Sequence, residues 1–230
     1  MTTPLLAPRA GLTAVLLDID GTLIDSNDAH ARAWVGALAE HGYVVPFDRV
    51  RPLIGMGGDK VLPLLAGLDA DSGEAERIGS SRSALFRGEL PTLQPTPGAR
   101  DLLVMLRDRG LELVVATSAQ AEEVQAILRQ AGVADLIGTT ASSGDAERSK
   151  PDPDIVQAAL RKSGNTAAHC IMIGDTPYDV EAASRSRVTC IALRCGGGWT
   201  DADFRDASGI YDDPASLHAH FDSSPFAVGR

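Results

Sequence analysis

The chain has 230 residues, of which 44% are apolar, and its 31 acidic and 21 basic residues give a net charge of −10. This surplus of acid argues against a nucleic acid or an anionic membrane as the main partner, because both attract positive charge. It does not exclude a small anionic substrate, since one lysine and a metal ion can form a local positive site. The oligomeric state stays open.

The cysteines, at positions 170, 190 and 195, include no CxxC pair, so neither a disulfide framework nor a zinc site is indicated. This content fits a reducing compartment, and we expect a cytoplasmic protein. No apolar stretch has the length of a membrane span. Residues 1–9 lack the features of a signal peptide and are expected to be a flexible lead-in. The tail beyond Leu217 is expected to be poorly ordered.

Short apolar runs alternate with helical patterns along most of the chain, which predicts an α/β fold with a parallel sheet covered by helices. The predicted strands are Ala14–Leu17, Leu113–Ala116, Leu136–Thr139, Cys170–Ile173 and Val188–Leu193. The predicted helices between them are Gly98–Asp108, Ala121–Gln130, Asp154–Lys162 and Val180–Ser186.

The segment from Asp25 to about Leu93 interrupts this alternation, because it contains helical patterns and no clear strand. Its predicted helices are Asn27–Glu40, Asp59–Ala66 and Glu74–Leu85. Prolines at 91, 95 and 97 then mark the return of the chain to the sheet. We therefore expect residues 25–94 to form a helical cap subdomain, inserted into a core of residues 12–24 and 95–217.

Residues 18–22, Asp-Ile-Asp-Gly-Thr, follow the first predicted strand and are the most informative part of the chain. Two carboxylates one residue apart repel each other, so they shift each other's pKa or need a cation. In an open α/β sheet, ligands bind at the carboxyl ends of the strands. The pattern therefore favours an acidic active site, with an acidic turn as the alternative.

Three further segments follow in order along the chain. Thr117 and Ser118 end the second predicted strand, and Lys150 lies in a Ser-Lys-Pro-Asp-Pro sequence. Asp175 follows a later apolar run, with Asp179 four residues on. Taken singly, these residues have simpler interpretations: a helix N-cap, a solvated lysine, a turn and a favourable charge in the first turn of a helix. Their occurrence together in one order argues against coincidence.

Together the four segments resemble the haloacid dehalogenase-like hydrolase superfamily, over about Leu12 to Leu217. Within it, the chain resembles the branch of phosphoglycolate phosphatases and β-phosphoglucomutases, which have a helical cap after the first motif. The resemblance implies a Rossmann-like core. It also implies a Mg²⁺-dependent phosphatase that hydrolyses a small phosphorylated metabolite, such as phosphoglycolate or a sugar phosphate, through an aspartyl-phosphate.

The resemblance also implies a role for each motif residue. Asp18 is the nucleophile and a metal ligand. Asp20 is the general acid and base, and its backbone carbonyl completes the metal site. Asp175 is the remaining metal ligand, and Asp179 orients that site. The groups expected to bind the phosphoryl oxygens are Thr117, Ser118 and Lys150.

Two cap residues are further candidates for contact with the substrate. Lys60 ends a glycine-rich segment, 55–60, at about the place where capped relatives have a loop that faces the active site. It would hold an anionic part of the substrate or, alternatively, be exposed beside a turn. His30, on the first predicted cap helix, would reach the cleft or pack against the core.

Two other functions remain as alternatives. A β-phosphoglucomutase-like phosphotransferase would return the phosphoryl group to a sugar, but such relatives often carry an extra acid before the metal aspartate. Gly174 stands at that place here, which favours hydrolysis. A receiver-type signalling domain also groups aspartates, Thr or Ser and Lys around Mg²⁺. Its acceptor aspartate lies on a middle strand, however, and it needs no helical insertion.

Overall fold

The structure, a computed structural model, describes residues 8–227. Within this range the strands are β1 (Ala14–Leu17), β2 (Glu112–Ala116), β3 (Thr139–Ala141), β4 (Cys170–Gly174), β5 (Thr189–Leu193) and β6 (Gly209–Tyr211). They form one parallel sheet in the order β3-β2-β1-β4-β5-β6. The predicted α/β fold with a Rossmann-like parallel sheet is confirmed.

β1 lies at the centre of the sheet, paired with β2 on one side and β4 on the other. Leu17 lies opposite Val115 on β2 and Ile173 on β4. The carboxyl ends of the three strands are therefore nearly level. The residues that follow them at this edge are Asp18, Thr117 and Asp175.

The α-helices within residues 8–227 alternate with strands β2 to β5 beyond position 98, and the last α-helix follows β6. They are α1 (Asn27–Glu40), α2 (Phe47–Val50), α3 (Gly58–Ala66), α4 (Gly73–Glu89), α5 (Ala99–Asp108), α6 (Ala121–Gln130), α7 (Asp154–Ser163), α8 (Pro177–Arg185) and α9 (Pro214–Ala219). None of these helices combines the length and apolarity that a membrane span requires.

Apolar side chains of β1 alternate between the two faces of the sheet, as a strand requires. Val15 and Leu17 pack with α5, α6 and α9 on one face. Ala14 and Leu16 pack with α7 and α8 on the other face. The strand is consequently buried along its whole length, which explains why its sequence is a continuous apolar run.

The helices α1–α4 fall within residues 25–94 and form an apolar cluster of their own. Trp34 and Leu38 of α1 pack there with Val61 of α3 and Ile78 of α4. Phe86, near the end of α4, belongs instead to the cluster on the α5 face of the sheet. The four-helix segment is therefore packed internally and also against the sheet.

Two strand predictions need correction. β3 begins at Thr139, where Leu136–Thr139 was predicted, because the pairing of Thr139 with Val114 sets its register. Leu136 is buried in a turn before the strand. β6 was not predicted, since three half-buried residues give too short a pattern.

The expectation of a poorly ordered tail is wrong for residues 218–227. Phe221 and Phe226 are buried and stack with ring centroids 5.6 Å apart. The Arg9 amide donates to the Phe226 carbonyl at 2.7 Å, so the start of the described chain is bound to its end. Residues 1–7 of the expected flexible lead-in, and residues 228–230 of the tail, lie outside the described residues.

We expect Phe226→Ala to lower the free energy of unfolding by about 3 kcal/mol, because it leaves a cavity in the apolar cluster to which Phe226 belongs. Urea unfolding followed by circular dichroism measures this loss. Val44→Ala is the control, since Val44 is 93% exposed. Equal stability of the two variants would show that the tail does not contribute to the core.

Candidate active site

Asp18, Asp175 and Asp179 form an acidic cluster at the carboxyl edge of the sheet, and Lys150 lies between Asp18 and Asp179. Its Nζ lies 2.5 Å from Asp18 Oδ1 and 2.7 Å from Asp179 Oδ1. The Lys150 side chain is only 1% exposed, so the interpretation as a solvated lysine is wrong. A buried ammonium needs such anionic partners, because desolvation of an unpaired charge is costly.

The electrostatics of the cluster oppose full ionisation of its acids unless a cation is bound. Burial raises the pKa of Asp18 well above its ordinary value, and Lys150 only partly opposes this effect. Burial would lower the pKa of Lys150, but Asp179 and Asp18 raise it overall, so the ammonium stays charged. One lysine therefore faces more carboxylates than it can neutralise, which favours a bound cation.

The donor set fits a hard divalent ion. Asp18, Asp175 and Asp179 each place one carboxylate oxygen so that these atoms lie within 4.8 Å of one another. Carboxylate oxygens are the ligands that Mg²⁺ prefers. Both oxygens of Asp179 have other neighbours, however: Oδ1 lies beside Lys150, and Oδ2 accepts from the backbone amide and hydroxyl of Thr176. Asp179 is thus placed to orient the site, and it also closes the N-terminus of α8.

Asp175 is fully buried and held by two side chains that sequence reasoning gave no role. Thr22 Oγ1 donates to its Oδ1 at 2.9 Å, and Asn27 Nδ2 donates to its Oδ2 at 2.7 Å. Burial, with repulsion from Asp179, raises the pKa of Asp175 to about 7. Thr22 belongs to the first motif, whereas nothing local in the sequence distinguishes Asn27.

Asp20 begins a chain of polar contacts that runs into α4. Ser26 Oγ donates to Asp20 Oδ1 at 2.6 Å, and His30 Nε2 lies 2.8 Å from the same oxygen. Burial alone would raise the pKa of Asp20, but His30 first, then Ser26 and Arg82, lower it to about 2. Asp20 is consequently ionised at neutral pH in this structure.

His30 has a defined role in that chain. Arg82 Nη2 lies 3.0 Å from His30 Nδ1, and because an arginine can only donate, a neutral His30 carries its hydrogen on Nε2, toward Asp20. The imidazole also stacks on Phe86, with centroids 3.8 Å apart. His30 therefore fits both interpretations left open by the sequence, since it reaches the site and packs in the core. Arg82, which pairs with Glu123 at 2.9 Å, was missed.

Thr117 and Ser118 lie at the same edge, next to the acids. The interpretation of this pair as the N-cap of α6 is wrong, because Gln120 is the N-cap. Thr117 Oγ1 accepts from the Ala119 amide at 3.0 Å, so its own hydrogen is available to donate. Ser118 Oγ donates to the Gly55 carbonyl at 3.3 Å, which connects this edge to the segment before α3.

A cavity of about 880 Å³ opens over these residues. Its inner wall includes Asp18, Asp20 and Thr117, and its outer wall includes the segment 55–59 and part of α4. Lys60 is not part of the wall. Its Nζ lies 2.6 Å from Asp152 Oδ2 and its side chain is 29% exposed, so Lys60 is half-buried and ion-paired, and its contact with the substrate stays a prediction.

With this geometry known, the chain can be compared with other proteins. The profile of the haloacid dehalogenase-like hydrolase family matches residues 12–187. The chain belongs to this family. The predicted family and the predicted enzyme class, a hydrolase, are confirmed.

Individual relatives agree with this assignment. The phosphoglycolate phosphatase of Rhodospirillum rubrum is 29% identical over 89% of this chain and 88% of its own length. Protein SUPPRESSOR OF QUENCHING 1, chloroplastic, of Arabidopsis thaliana is 33% identical over 90% of this chain, which spans only 20% of that longer protein. A hydrolase from Pseudomonas syringae superimposes with a TM-score of 0.85 and is 30% identical, with 92% of this chain and 98% of that one covered.

We expect the metal-free protein to lose stability as the pH rises from about 4 to about 7. Asp175 has a raised pKa in the folded state, so it contributes stability while it is protonated and loses that contribution as the pH rises through about 7. Thermal unfolding in excess chelator across this pH range measures the effect. Asp175→Asn, which stays neutral, should show a flatter dependence than the wild type. A steeper dependence in the variant would contradict the assignment.

Proposed function

We propose that the protein is a Mg²⁺-dependent phosphatase that hydrolyses a small phosphorylated metabolite through an aspartyl-phosphate on Asp18. The observation that supports this most strongly is the position of Lys150 Nζ, 2.5 Å from Oδ1 of Asp18, which is itself part of the cavity wall. An ammonium at this place can hold a phosphoryl oxygen, and its charge lowers the pKa of the Asp18 nucleophile against the effect of burial. We further propose that residues 25–94 act as the cap over this site.

Asp18, Asp175 and the backbone carbonyl of Asp20 would hold Mg²⁺ in this proposal. A bound ion of this kind neutralises part of the charge that a carboxylate and a phosphate monoester share, and it orients both. Asp179 keeps Lys150 in place, and Thr22 and Asn27 keep Asp175 in place, so the ligands are held before the substrate arrives.

The chemistry of the side chains follows in two steps. In the first step, an oxygen of Asp18 forms a bond to phosphorus while the bond from phosphorus to the alcohol oxygen breaks, and Asp20 gives that oxygen its proton. In the second step, Asp20 takes a proton from water, whose oxygen bonds to phosphorus and releases Asp18. Thr117 and Lys150 donate to the phosphoryl oxygens in both steps.

Asp20 must gain a proton before the first step, although its pKa of about 2 keeps it ionised in this structure. A phosphate dianion placed beside it raises that pKa, because like charges favour the neutral acid. Ser26 and His30 hold the carboxyl in one orientation while its charge changes. This arrangement suits an acid that later acts as a base.

The cavity favours a sugar phosphate over phosphoglycolate as the substrate. Its volume of about 880 Å³ exceeds what a two-carbon acid fills. Within residues 8–227, several exposed acids of its wall have no ion-pair partner, whereas of the two arginines of the wall Arg82 is paired with Glu123 and Arg87, also exposed, is left to offset these acids. These unpaired acids are Asp71, Glu76, Glu122 and Glu147. A leaving group with a carboxylate would meet a mostly negative wall, which a neutral polyol avoids.

Hydrolysis is favoured over transfer to a second sugar by the surroundings of Gly174. A side-chain carbon at this position would lie 2.4 Å from Asp179 Cβ, so a larger residue requires Asp179 to move. The extra acid that many phosphotransferase relatives carry here would therefore require a different position of Asp179. A receiver-type domain is disfavoured by the four-helix segment between β1 and β2. The cytoplasmic location stays a prediction.

We expect the Asp18→Asn and Asp20→Asn variants to lose activity in different ways. Asp18→Asn should form no phospho-enzyme and lose at least ~10³-fold in kcat. Asp20→Asn should release one rapid burst of leaving group from an activated aryl phosphate and then stall, because water is no longer activated. Rapid-quench kinetics with Mg²⁺ measure both results, with Asp135→Asn at the surface as the control. Near-normal turnover by Asp18→Asn, or full wild-type activity in excess chelator, would contradict the proposal.

We expect hexose and pentose phosphates to have kcat/KM values at least ~10-fold above that of phosphoglycolate, because about 1.4 kcal/mol of charge repulsion gives a tenfold ratio. A panel of phosphorylated metabolites measures the ranking. The double variant Glu122→Gln, Glu147→Gln should improve phosphoglycolate relative to the sugars. A ranking with phosphoglycolate first in the wild type would show that the acidic wall does not select the substrate.

A further inference from the structure

The segment that begins α3 contacts the loop of Lys150 on both sides of that lysine. The Gly57 amide donates to Ser149 Oγ at 2.9 Å, and the Ser149 amide donates to Asp59 Oδ2 at 3.1 Å. Three residues along the loop, Asp152 Oδ2 lies 2.6 Å from Lys60 Nζ. The helical segment therefore holds the loop 149–152 on both sides of Lys150, the residue that contacts Asp18.

The approach of the two segments is close enough to require glycine. A side-chain carbon on Gly57 would lie 2.8 Å from Ser149 Cβ, a distance at which one of the two backbones has to shift. The φ angle of Gly57 is −84°, so this glycine is needed for space and not for an unusual backbone conformation. The contact is consequently specific in shape as well as in its hydrogen bonds.

The Lys60–Asp152 ion pair lies outside the cavity wall, so it can affect the position of the loop 149–152 without contacting the substrate. Asp152 is 14% exposed, and its Oδ1 also lies 3.1 Å from Arg185 and 3.7 Å from Arg148, so it keeps two cations on that oxygen when Lys60 is removed from Oδ2. Elsewhere the helical segment is bound to the core independently, since Tyr178 Oη donates to the Pro52 carbonyl at 2.6 Å. Loss of the Lys60 contact should therefore loosen the loop of Lys150 without releasing the helical segment.

We propose that Lys60 and Asp59 are positioning residues that act through Lys150, so that docking of the helical segment sets the catalytic lysine against Asp18. The inference rests on the proposed function in one respect, the role of Lys150 on the phosphoryl group. It differs from our expectation from the sequence, because Lys60 then affects every substrate alike and does not select among them. Small displacements of a catalytic group have large effects on rate, which makes such control effective.

The test is a double-mutant cycle between Lys60→Met and Lys150→Ala, measured as kcat/KM on an activated aryl phosphate and two sugar phosphates. We expect Lys60→Met to lower kcat/KM on the order of tenfold on all three esters, and to have no further effect in the Lys150→Ala background. Lys60→Arg should recover most of the loss, because it restores the ion pair. Gly57→Ala, which disturbs the same contact sterically, should resemble Lys60→Met.

Lys162→Met is the matched control. Lys162 Nζ also lies 2.6 Å from a carboxylate oxygen, Asp145 Oδ2, but both residues of this pair belong to the core subdomain, residues 95–217. Thermal unfolding of each variant separates loss of folded protein from loss of function. Calorimetric titration with inorganic phosphate adds a readout that needs no turnover, and Lys60→Met should weaken that binding. Additive effects in the cycle, a changed substrate ranking, or equal behaviour of Lys60→Met and Lys162→Met would overturn the inference. Absence of wild-type turnover would instead overturn the proposed function, and the phosphate titration would still test the role of Lys60.

Discussion

The buried ammonium of Lys150 between Asp18 and Asp179 is the interaction on which the site depends. Its three participants come from distant parts of the chain: the end of β1, the loop before α7 and the first turn of α8. None of these charges is stable alone in a buried position, because each would lack the water it gives up on folding. The site therefore forms only when the sheet assembles correctly.

A single lysine cannot neutralise all the carboxylates of this acidic cluster. The remaining repulsion among them explains why hydrogen-bond donors and close backbone contacts surround Asp175. Thr22 and Asn27 each donate to Asp175, and the backbone at Gly196 lies against the same carboxylate, where a side-chain carbon would be 1.7 Å from its Oδ2. Donors and close backbone contacts hold carboxylates in place when their mutual repulsion would separate them. The same repulsion favours binding of a divalent cation in the proposed function.

The helical segment completes the site with residues that do not belong to the sheet edge. Asn27 and His30 of α1 contact Asp175 and Asp20, while Arg82 of α4 contacts His30. The start of α3 contacts the loop of Lys150. The position of this segment is therefore coupled to Asp20, Asp175 and the loop of Lys150, which connects the shape of the cavity to the chemistry beneath it.

The sequence by itself determined the central strands, most helices and the core motif residues. β1 and α6 have the bounds that their apolar patterns predict, and Asp18 follows β1 at the sheet edge, because these features depend on local periodicity and on where a strand ends. Only the tertiary structure decided the partner of Lys60, the contacts of His30 and the burial of Phe226. Each of these depends on residues far apart in the chain that come together by packing, and no local pattern records which distant side chain will be the neighbour.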